Sequence, residues 1–461
     1  MHRFPCRAVP LLLALATAPL AAQSPPPKAV VIRVVDSLAR DFITKRGAPG
    51  VSIAVVRGHD TLTFGGWGKA DLENDVAASA RTVYRIGSIT KQFTAAAVLQ
   101  LIEQGKVKLD DSIATHVPDL PEAWRRVTVH QLLNHTSGVP SYTNIGPRWV
   151  RRWGEEMPPD TLVALTARDT MWFAPGTKWQ YDNSGYVLLG MLVEKIAGRS
   201  WATDIEERFA KPLGLADTKN CATAPVIPRR AHGYEPQGTQ WVNAQYLAMS
   251  QPFAAGALCS TVGDLARWNR AIHVGRVVSV GSYKMMTTPD GAAAAAKYGF
   301  GLVRDTLAGR TLIQHGGGIN GFISSNAWIP EAELSVTVLS NSGMARTDQL
   351  MLQLVRAALG VPLLEPPRRV AISAEDRARY VGVYSLPARE ATADFTFFER
   401  DGELFGQVAG QGANAMIPYG NHAFGVAFDP NLRITFTVEN GRATRLVLLQ
   451  GGRSIEAPRK P

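Results

Sequence analysis

Tyr84-Arg-Ile-Gly-Ser-Ile-Thr-Lys-Gln-Phe93 is the most informative stretch of the sequence, because it joins a polar pair to a helical pattern. Ser88 and Lys91 open an apolar run that predicts a helix over about 88–105. Side chains three residues apart are neighbours on one helical turn. A serine hydroxyl is a weak nucleophile until a base takes its proton, and a lysine can do this only when it is neutral. The tetrad alone is a weak signal, because chance yields about one Ser-x-x-Lys in a chain of this length.

A second polar group is Tyr181-Asp-Asn183, which comes directly before a predicted helix over about 184–197. A buried tyrosine phenol beside a lysine could relay a proton, and an asparagine amide could hold both the lysine and a substrate. A similar triplet, Tyr142-Thr-Asn144, is not followed by an apolar helix. We therefore expect the pair Tyr181 and Asn183 to be the functional one.

A third group is His315-Gly-Gly-Gly318, which follows a predicted strand at Thr311–Gln314. Glycines at a strand edge let a substrate backbone approach closely and expose N–H donors. The N–H groups of Gly318 and Ser88 could together form an oxyanion hole, with His315 as an additional polar or charged contact. Taken alone, the segment is more often a glycine turn beside an ordinary surface histidine.

Other catalytic patterns are missing from the sequence. No serine has glycine at both the second position before it and the second position after it, which excludes the nucleophile elbow of the α/β-hydrolases. No H-E-x-x-H occurs, and His130 and His135 have no glutamate between them, so we expect both histidines to be structural. We expect neither a metal nor a cofactor.

Composition excludes several classes of protein. The 461 residues are 46% hydrophobic and 19% charged, which is typical of folded domains and not of disordered or collagen-like chains. The net charge of +10 is spread along the chain without a long basic run, and we therefore expect no nucleic-acid partner.

The chain divides into two regions of different pattern. Residues 29–358 alternate helices with strands, the strands lying at both ends, which predicts an α/β (α+β) domain: an antiparallel sheet flanked by helices, with a helical subdomain inserted. Residues 359–371 form a proline-rich linker. Residues 372–461 contain strand patterns and the hairpin turns Asp401-Gly402 and Asn440-Gly441, which predict a small all-β barrel or sandwich.

The amino-terminal residues 1–22 have the pattern of a secretory signal peptide, with early arginines, a short apolar run and Ala21-Ala22 before the expected cut. An uncleaved anchor is the rival interpretation. No later segment has about 18 consecutive apolar residues, so we expect an exported protein, periplasmic or secreted, without a membrane span after cleavage. In an oxidising compartment Cys221 and Cys259 could form a disulfide or remain two buried thiols.

The three polar groups, in this order, resemble the serine β-lactamase and penicillin-binding family, whose elements are Ser-x-x-Lys, Tyr-x-Asn and Lys/His-x-Gly. The matching residues are Ser88 and Lys91, Tyr181 and Asn183, and His315 and Gly317. Further stretches are similar to the class C branch, which includes D-alanyl-D-alanine carboxypeptidases, D-aminopeptidases and esterases: Gln131-Leu-Leu-Asn-His-Thr-Ser-Gly-Val139, Ala254-Ala-Gly-Ala-Leu-Cys-Ser-Thr-Val-Gly-Asp264 and Leu339-Ser-Asn341. The tail, with Tyr380-Val-Gly-Val-Tyr384, is similar to the lipocalin-like domain often appended to such hydrolases.

The resemblance implies acyl transfer from an ester, a D-peptide or a β-lactam, through an acyl-enzyme on Ser88. Lys91 and Tyr181 would move the protons, with Tyr181 the base for the attacking water, and Asn183, His315, Gly317 and Gly318 would bind substrate or the oxyanion. Tyr142 falls near a substrate-binding position of the family. One departure is His315-Gly-Gly where β-lactamases of this class carry Lys-Thr-Gly, and we therefore expect at most weak β-lactamase activity.

Two alternatives follow from the same sequence. The first is a penicillin-binding receptor that is acylated once and does not turn over. The second is a binding protein whose carboxy-terminal barrel recognises an envelope ligand. The oligomeric state is not predicted.

Overall fold

A computed structural model describes residues 25–45, 47–364, 368–387, 392–426, 432–450 and 453–461. The signal peptide predicted at 1–22 lies outside these residues. The chain forms two compact units, one ending at Leu363 and the other spanning Leu364–Pro461, and this boundary falls within the predicted linker at 359–371. In the described ranges, no helix combines the length and the apolar character needed to cross a bilayer.

The first unit contains most of the helices and a large sheet. Its helices are α1 (Lys28–Thr44), α2 (Thr90–Glu103), α3 (Val129–Leu133), α4 (Pro147–Val150), α5 (Pro159–Thr166), α6 (Ser184–Ala197), α7 (Trp201–Ile205), α8 (Lys211–Leu213), α9 (Phe253–Gly256), α10 (Val262–His273), α11 (Val280–Thr287) and α12 (Thr347–Leu359). Its strands are β1 (Gly50–Arg57), β2 (Asp60–Asp71), β3 (Val76–Ala77), β4 (Tyr84–Arg85), β5 (Lys219–Asn220), β6 (Tyr234–Gln237), β7 (Gln240–Asn243), β8 (Leu258–Ser260), β9 (Val303–Leu307), β10 (Arg310–Ile319), β11 (Phe322–Ile329) and β12 (Leu334–Ser340).

The main sheet is antiparallel and is built from both ends of this unit. Its strand order is β3-β2-β1-β12-β11-β10-β9, and β1 pairs with β12 from Val51↔Ser340 to Arg57↔Leu334. The prediction of one sheet that joins the early and the late strands is therefore confirmed. This arrangement places β10, which carries the His-Gly-Gly-Gly segment, near one edge of the sheet.

One face of the sheet is covered by α1 and α12. Val31, Val35 and Ala39 recur every four residues on α1 and are fully buried in a cluster with sheet residues such as Val51 and Ile53. Residues two apart on β1 point to the same face, which explains why the alternate positions carry this contact. Burial of such an apolar stripe stabilises an amphipathic helix more than its intrinsic propensity does.

The other face is covered by a helical region centred on α2. Eleven of the residues of α2 are buried, so that it is surrounded by protein on nearly every side. Phe93 stacks on Trp268 of α10 with ring centroids 3.7 Å apart, and the Trp268 indole N–H donates to Oε1 of Gln92 at 2.9 Å. The helix that begins beside Ser88 is therefore held rigidly in the core.

Three local predictions differ from the structure. The stretch Gly299-Phe-Gly-Leu-Val303, whose alternation of glycine with apolar residues predicts a strand, is irregular, because Gly301 has φ +67° and the strand begins only at Val303. The helix expected from Ser88 begins as a short 3₁₀ turn at Gly87–Ile89. The segment His315–Gly318 does not follow a strand but is itself part of β10, paired with β11.

The second unit contains α13 (Ala374–Ala378) and a nearly closed antiparallel barrel, which confirms the predicted barrel. Its strands are β13 (Gly382–Pro387), β14 (Thr392–Arg400), β15 (Glu403–Val408), β16 (Asn414–Gly420), β17 (Ala423–Val426), β18 (Arg433–Glu439), β19 (Arg442–Gln450) and β20 (Arg453–Pro458). A bridge between Tyr384 and Arg459 connects the first strand to the last part of the chain.

The barrel core and turns agree with the sequence pattern. Phe397 and Phe436 pack with ring centroids 5.0 Å apart among buried aliphatic side chains. Both residues of the Asp401-Gly402 and Asn440-Gly441 turns have positive φ, as tight two-residue hairpins require. The likeness to lipocalins stays a prediction.

Candidate active site

Ser88 lies half-buried in the 3₁₀ turn that leads into α2. The backbone before and after it is fixed to β8: the N–H of Ile86 donates to the Leu258 carbonyl at 3.0 Å, and the Leu258 N–H donates to Oγ1 of Thr90 at 3.2 Å. The hydroxyl is thus presented at a helix amino terminus, where the local field favours a developing negative charge.

The glycines of β10 allow that strand to lie directly against the turn. A Cβ at Gly317 would overlap the carbonyl oxygen of Ile86, and a Cβ at Gly87, where φ is +50°, would lie 2.9 Å from the Gly318 nitrogen. The pairing of β10 with β9 ends at Gln314↔Val303. The edge of β10 beyond Gln314 is therefore free of strand β9 where it passes the nucleophile, as an oxyanion site needs.

Lys91 is fully buried, and its amine contacts three groups. Nζ lies 3.3 Å from Oγ of Ser88, and it donates to Oδ1 of Asn183 at 2.7 Å and to the Ala255 carbonyl at 2.9 Å. The last two oxygens can only accept hydrogen bonds. A neutral amine has two N–H donors and one lone pair, so that donating to these oxygens directs the lone pair toward Ser88.

Burial lowers the pKa of Lys91 to about 7, and the charge of Asp182 opposes part of that change. A large fraction of the lysine is therefore neutral near pH 7, which is what a general base requires. The predicted pair of nucleophile and base is brought together by the structure, with the spacing of three residues acting across one helical turn.

Tyr181 lies on the other side of the same amine. The centre of its ring is 4.8 Å from Nζ of Lys91, and its hydroxyl is buried without a hydrogen-bond partner among the described residues. Burial raises the pKa of Tyr181, and the nearby Ser88 hydroxyl offsets part of the effect. The phenol therefore keeps its proton in the resting site, which makes it a proton donor and a relay rather than a base.

Asn183 is held in place by the segment that the sequence analysis set aside. Its backbone N–H donates to Oγ of Ser141 at 3.0 Å, and its side-chain Nδ2 donates to Oγ1 of Thr143 at 3.1 Å. Tyr142 is only 2% exposed and packs edge-to-face on Trp149, with centroids 5.5 Å apart. The Tyr142-Thr-Asn144 segment thus orients Asn183, whereas substrate contact by Tyr142 stays a prediction.

His315 is buried on β10, and both of its ring nitrogens have partners. Nε2 lies 2.9 Å from the Tyr298 hydroxyl and Nδ1 lies 2.6 Å from the Gly316 carbonyl oxygen. Burial lowers the pKa of His315 to about 3, and the charge of Lys91 acts in the same direction. The surface histidine considered from the sequence is therefore instead a neutral group within the site.

Sequence reasoning missed a buried cluster behind these residues. His135 is fully buried, with Nδ1 3.3 Å from Oδ2 of Asp182, and its ring centroid lies 4.3 Å from that of Tyr181 and 4.7 Å from that of Tyr298. Burial lowers the pKa of His135. The position of Asp182 between Tyr181 and Asn183 was the one local signal for this cluster, since the other members are distant in sequence.

The tryptophan- and arginine-rich loop after Tyr142 is fixed by one buried amide. Gln251 accepts from the Trp149 indole N–H at 2.7 Å and donates to the carbonyl oxygens of Arg152 and Glu155, each at 2.7 Å. Arg148 pairs with Asp169, with a nearest distance of 2.6 Å. These residues therefore have structural roles in the loop.

Cys221 and Cys259 are free thiols, which corrects the disulfide alternative. Cys221 and Cys259 are both fully buried. Residue Lys219 of β5 is paired with Cys259, and the Cys221 N–H donates to the Ala257 carbonyl at 2.8 Å. Cys221 thus lies one residue beyond β5 and opposite Ala257, two positions from Cys259 on β8, and the two thiols interact without being bonded to each other.

The geometry agrees with a comparison against protein families, in which the family described as Beta-lactamase matches residues 35–360. The chain belongs to this family. This part of the chain is therefore a serine hydrolase domain of the beta-lactamase and penicillin-binding type. The conclusion rests on the family match and on the way the structure brings together Ser88, Lys91 and Tyr181.

Proteins similar to this chain in sequence or structure include enzymes named for D-amino acid substrates. A D-aminopeptidase of Gluconobacter oxydans (strain 621H) is 29% identical over 328 residues, which cover 69% of this chain and 60% of that protein. A D-stereospecific amidohydrolase from Streptomyces sp. is 30% identical, with TM-score 0.62, and covers 72% of this chain and 98% of its own. The D-amino acid amidase of Ochrobactrum anthropi SV3, in complex with L-phenylalanine amide, is 25% identical, with TM-score 0.64, and covers 71% of this chain and 98% of its own.

The match therefore spans about 60% of the length of the curated D-aminopeptidase from Gluconobacter oxydans. It falls on the part of this chain that contains the candidate site, since the family match ends at residue 360.

Proposed function

We propose that this protein is an exported serine hydrolase that releases an amino-terminal D-amino acid from amides or short peptides through an acyl-enzyme on Ser88. The observation that carries the proposal is the placement of Lys91 Nζ, which has two acceptors at 2.7 and 2.9 Å and the Ser88 hydroxyl at 3.3 Å. The names of the similar enzymes support the substrate class. The leader predicted at 1–22 supports export.

Acylation begins when Ser88 Oγ attacks the amide carbonyl carbon and its proton passes to the lone pair of Lys91. The carbonyl oxygen becomes an oxyanion and accepts from the backbone N–H groups of Ser88 and Gly318. The C–N bond then breaks, and the leaving nitrogen takes a proton from the phenol of Tyr181, which is restored from the Lys91 ammonium. This order follows from the pKa directions, because the lysine loses its proton more readily than the phenol.

Deacylation uses the same groups in reverse. A water molecule attacks the ester carbon and gives a proton to Lys91, and Ser88 Oγ then leaves and takes that proton from the Lys91 ammonium, which returns to its neutral form. The family resemblance implies Tyr181 as this second base. The raised pKa of the Tyr181 phenol and the neutral fraction of Lys91 favour the lysine instead.

The test measures ammonia released from D-phenylalanine amide and L-phenylalanine amide by the full chain. We expect turnover of the D-enantiomer, its loss in Ser88→Ala, and its retention in Ser385→Ala, a control serine on β13 in the other unit. Intact mass after incubation with a fluorescent penicillin is recorded in parallel. A persistent Ser88-dependent penicillin adduct without amide turnover would overturn the proposal in favour of a receptor that is acylated only once.

A further inference from the structure

Arg85 is a charged side chain close to the nucleophile that the mechanism does not use. It lies on β4, three residues before Ser88, and is half-buried. Its guanidinium carbon lies 5.8 Å from the centre of the Phe322 ring, and Phe322 pairs with Ile319 on β10, one position beyond Gly318. Arg85 therefore lies beside the end of the strand segment that carries the proposed oxyanion donor.

A second guanidinium faces the same region. Arg230 forms a parallel bridge with Val83, and Arg85 lies two residues farther along, so both arginine side chains point to the same side of the backbone. Nη1 of Arg230 donates to the Ala222 carbonyl oxygen at 3.3 Å. Burial lowers the pKa of Arg85, and the charge of Arg230 acts in the same direction. Because arginine keeps its proton in proteins, two positive charges lie together here.

The described part of the chain supplies no carboxylate to balance these charges. The ionisable groups that act on Arg85 are Arg230, Cys221, Cys259 and Tyr246. They are a cation, two thiols and a phenol, and none is a carboxyl group. The adjacent Arg229, by contrast, pairs with Asp217 at 2.9 Å. Since a partly buried cation without a counter-ion is unfavourable, the pair of guanidinium groups points to an anionic ligand.

Glycines leave the space between Ser88 and Arg85 free of side chains. Gly87 lies between them in the chain, and the intervening Ile86 is buried in the core. Gly256 of α9 lies beside the turn, where a Cβ would be 3.7 Å from the Gly87 carbonyl carbon. Three residues of extended chain span at most about 10 Å, a distance that an arginine side chain and a substrate side chain can bridge together.

The acyl part of a bound substrate lies toward Arg85. Tyr181, which gives its proton to the leaving nitrogen in the proposed mechanism, lies beside His315, with ring centroids 6.3 Å apart. Arg85 lies beside Phe322, whose partner Ile319 is four residues farther along β10. The proton donor and the guanidinium therefore mark opposite ends of this strand segment. With the leaving group at the first end, the acyl substituent extends toward the second.

We propose that Arg85 and Arg230 form an anion subsite that binds a carboxylate on the acyl group, so that the hydrolase prefers an amino-terminal D-glutamate or another acidic D-residue. The inference rests on the proposed function and narrows its substrate class. A carboxylate accepts two parallel N–H bonds from a planar guanidinium, which makes arginine a selective ligand for this group. The bound carboxylate also supplies the counter-ion that the two arginines lack.

Two matched pairs of substrates test the anion subsite. The α-(4-nitroanilides) of D-glutamic acid and D-glutamine differ only in side-chain charge, and the 4-nitrophenyl esters of glutaric acid and glutaramic acid give the same contrast without an amino group. The kcat/KM ratio, charged over uncharged, is measured at neutral pH for the full chain and for Arg85→Gln, Arg85→Lys and Arg230→Gln. Arg81→Gln is the control, because Arg81 precedes the same strand but is exposed.

We expect the wild type and Arg81→Gln to prefer the charged partner by about 10- to 100-fold. Arg85→Gln should remove this preference by lowering kcat/KM for the charged partner alone, and Arg230→Gln should reduce it. Arg85→Lys keeps the charge but loses the two parallel donors, so it should retain part of the preference. Turnover of the uncharged partner shows in each variant that the catalytic groups are intact.

The outcomes separate the anion subsite from the proposed function. A wild-type ratio at or below one, or a ratio that either Arg85→Gln or Arg230→Gln leaves unchanged, would overturn the subsite. Hydrolysis of the D-glutamine anilide without preference for D-glutamate would overturn the subsite and leave the proposed function standing. Preference for the charged ester without hydrolysis of either anilide would support the subsite and overturn the D-amino acid assignment. Ester hydrolysis that persists in Ser88→Ala would overturn both.

Discussion

Asn183 bonds to Lys91 through its oxygen, at 2.7 Å from Nζ, and to Thr143 through its nitrogen, at 3.1 Å from Oγ1. The orientation of this amide is therefore fixed from both ends. Because the oxygen faces the amine, Asn183 accepts one of the two N–H bonds of the neutral lysine and adds no charge to the site. The protonation of the base thus depends on an uncharged acceptor at this position.

Replacing the neutral amide of Asn183 with a carboxylate should shift the pH dependence of kcat/KM. In Asn183→Asp a carboxylate would lie beside Nζ of Lys91 and favour its charged form, so the acid limb of the kcat/KM profile should shift upward by about 1–3 pH units. The measurement is a pH–rate profile with an uncharged p-nitrophenyl ester. Thr143→Val, which removes the partner of Nδ2 without adding charge, should lower the rate and leave the limb in place; an unshifted limb in Asn183→Asp would contradict the role of the lysine.

The wild-type profile should itself report Lys91. The pKa of Lys91 is lowered to about 7 by burial, and the lysine must be neutral to accept the Ser88 proton. We therefore expect kcat/KM for an uncharged ester to rise with pH, to reach half its limit near pH 7, and then to level off. Lys91→Arg should remove the activity because arginine stays charged. A limb below pH 5 would instead indicate a carboxylate as the base.

The burial of Lys91 should also make the free energy of unfolding depend on pH. The pKa of Lys91 is lower in the folded protein than its ordinary value of 10.5, so the unfolded chain binds more protons between about pH 7 and pH 10. The wild type should therefore gain stability relative to Lys91→Met as pH rises through this window, and the difference in Tm should change by a few degrees, roughly.

Tryptophan fluorescence during heating measures this effect in the hydrolase unit, because all 10 tryptophans precede its boundary at Leu363. Lys106→Met on the surface is the matched control and should give a Tm difference that does not vary with pH. If the Lys91→Met difference is equally flat, the lysine is not desolvated in the folded protein.

Because β10 lies against the turn that carries Ser88, alanine substitutions at the neighbouring residues Gly316 and Gly317 should have unequal effects on activity. A Cβ at Gly317 would overlap the Ile86 carbonyl and push the strand away from the turn, whereas a Cβ at Gly316 would lie 3.5 Å from its nearest neighbour, the Ser324 carbonyl oxygen. Gly317→Ala should lower kcat by about 10²–10³, as loss of an oxyanion donor does. Gly316→Ala should lose far less activity, and similar losses in both variants would refute the close approach.

Much of the architecture could be predicted because its signals are local. The spacing of Val31, Val35 and Ala39 on α1 and the alternation along β1 come directly from the periods of helices and strands. The three polar groups could be found because each lies at the start of a helix or within a strand whose pattern is visible. Their meeting in space came from the family resemblance and not from these patterns.

Tyr298 could not be predicted as part of the site from local sequence patterns. The stretch at 299–303 alternates glycine with apolar residues and therefore imitates a strand, but Gly301 has positive φ and lies against the Lys91 backbone, where a Cβ would be 2.8 Å from its carbonyl oxygen. The partners His135 and Asp182 are 47 positions apart in the chain. Contacts between such distant residues are set by tertiary packing, which no local period encodes.

The pairing of β1 with β12 has a consequence for when activity can arise. A growing chain that already contains Ser88 and Lys91 still has no β10 to complete the site, and β10 reaches the first strands only through β11 and β12. Ser88 is therefore synthesised long before the oxyanion site formed with β10 exists. Hydrolysis can therefore start only after the last strand of the sheet has joined it, so an unfinished copy of the chain is inactive.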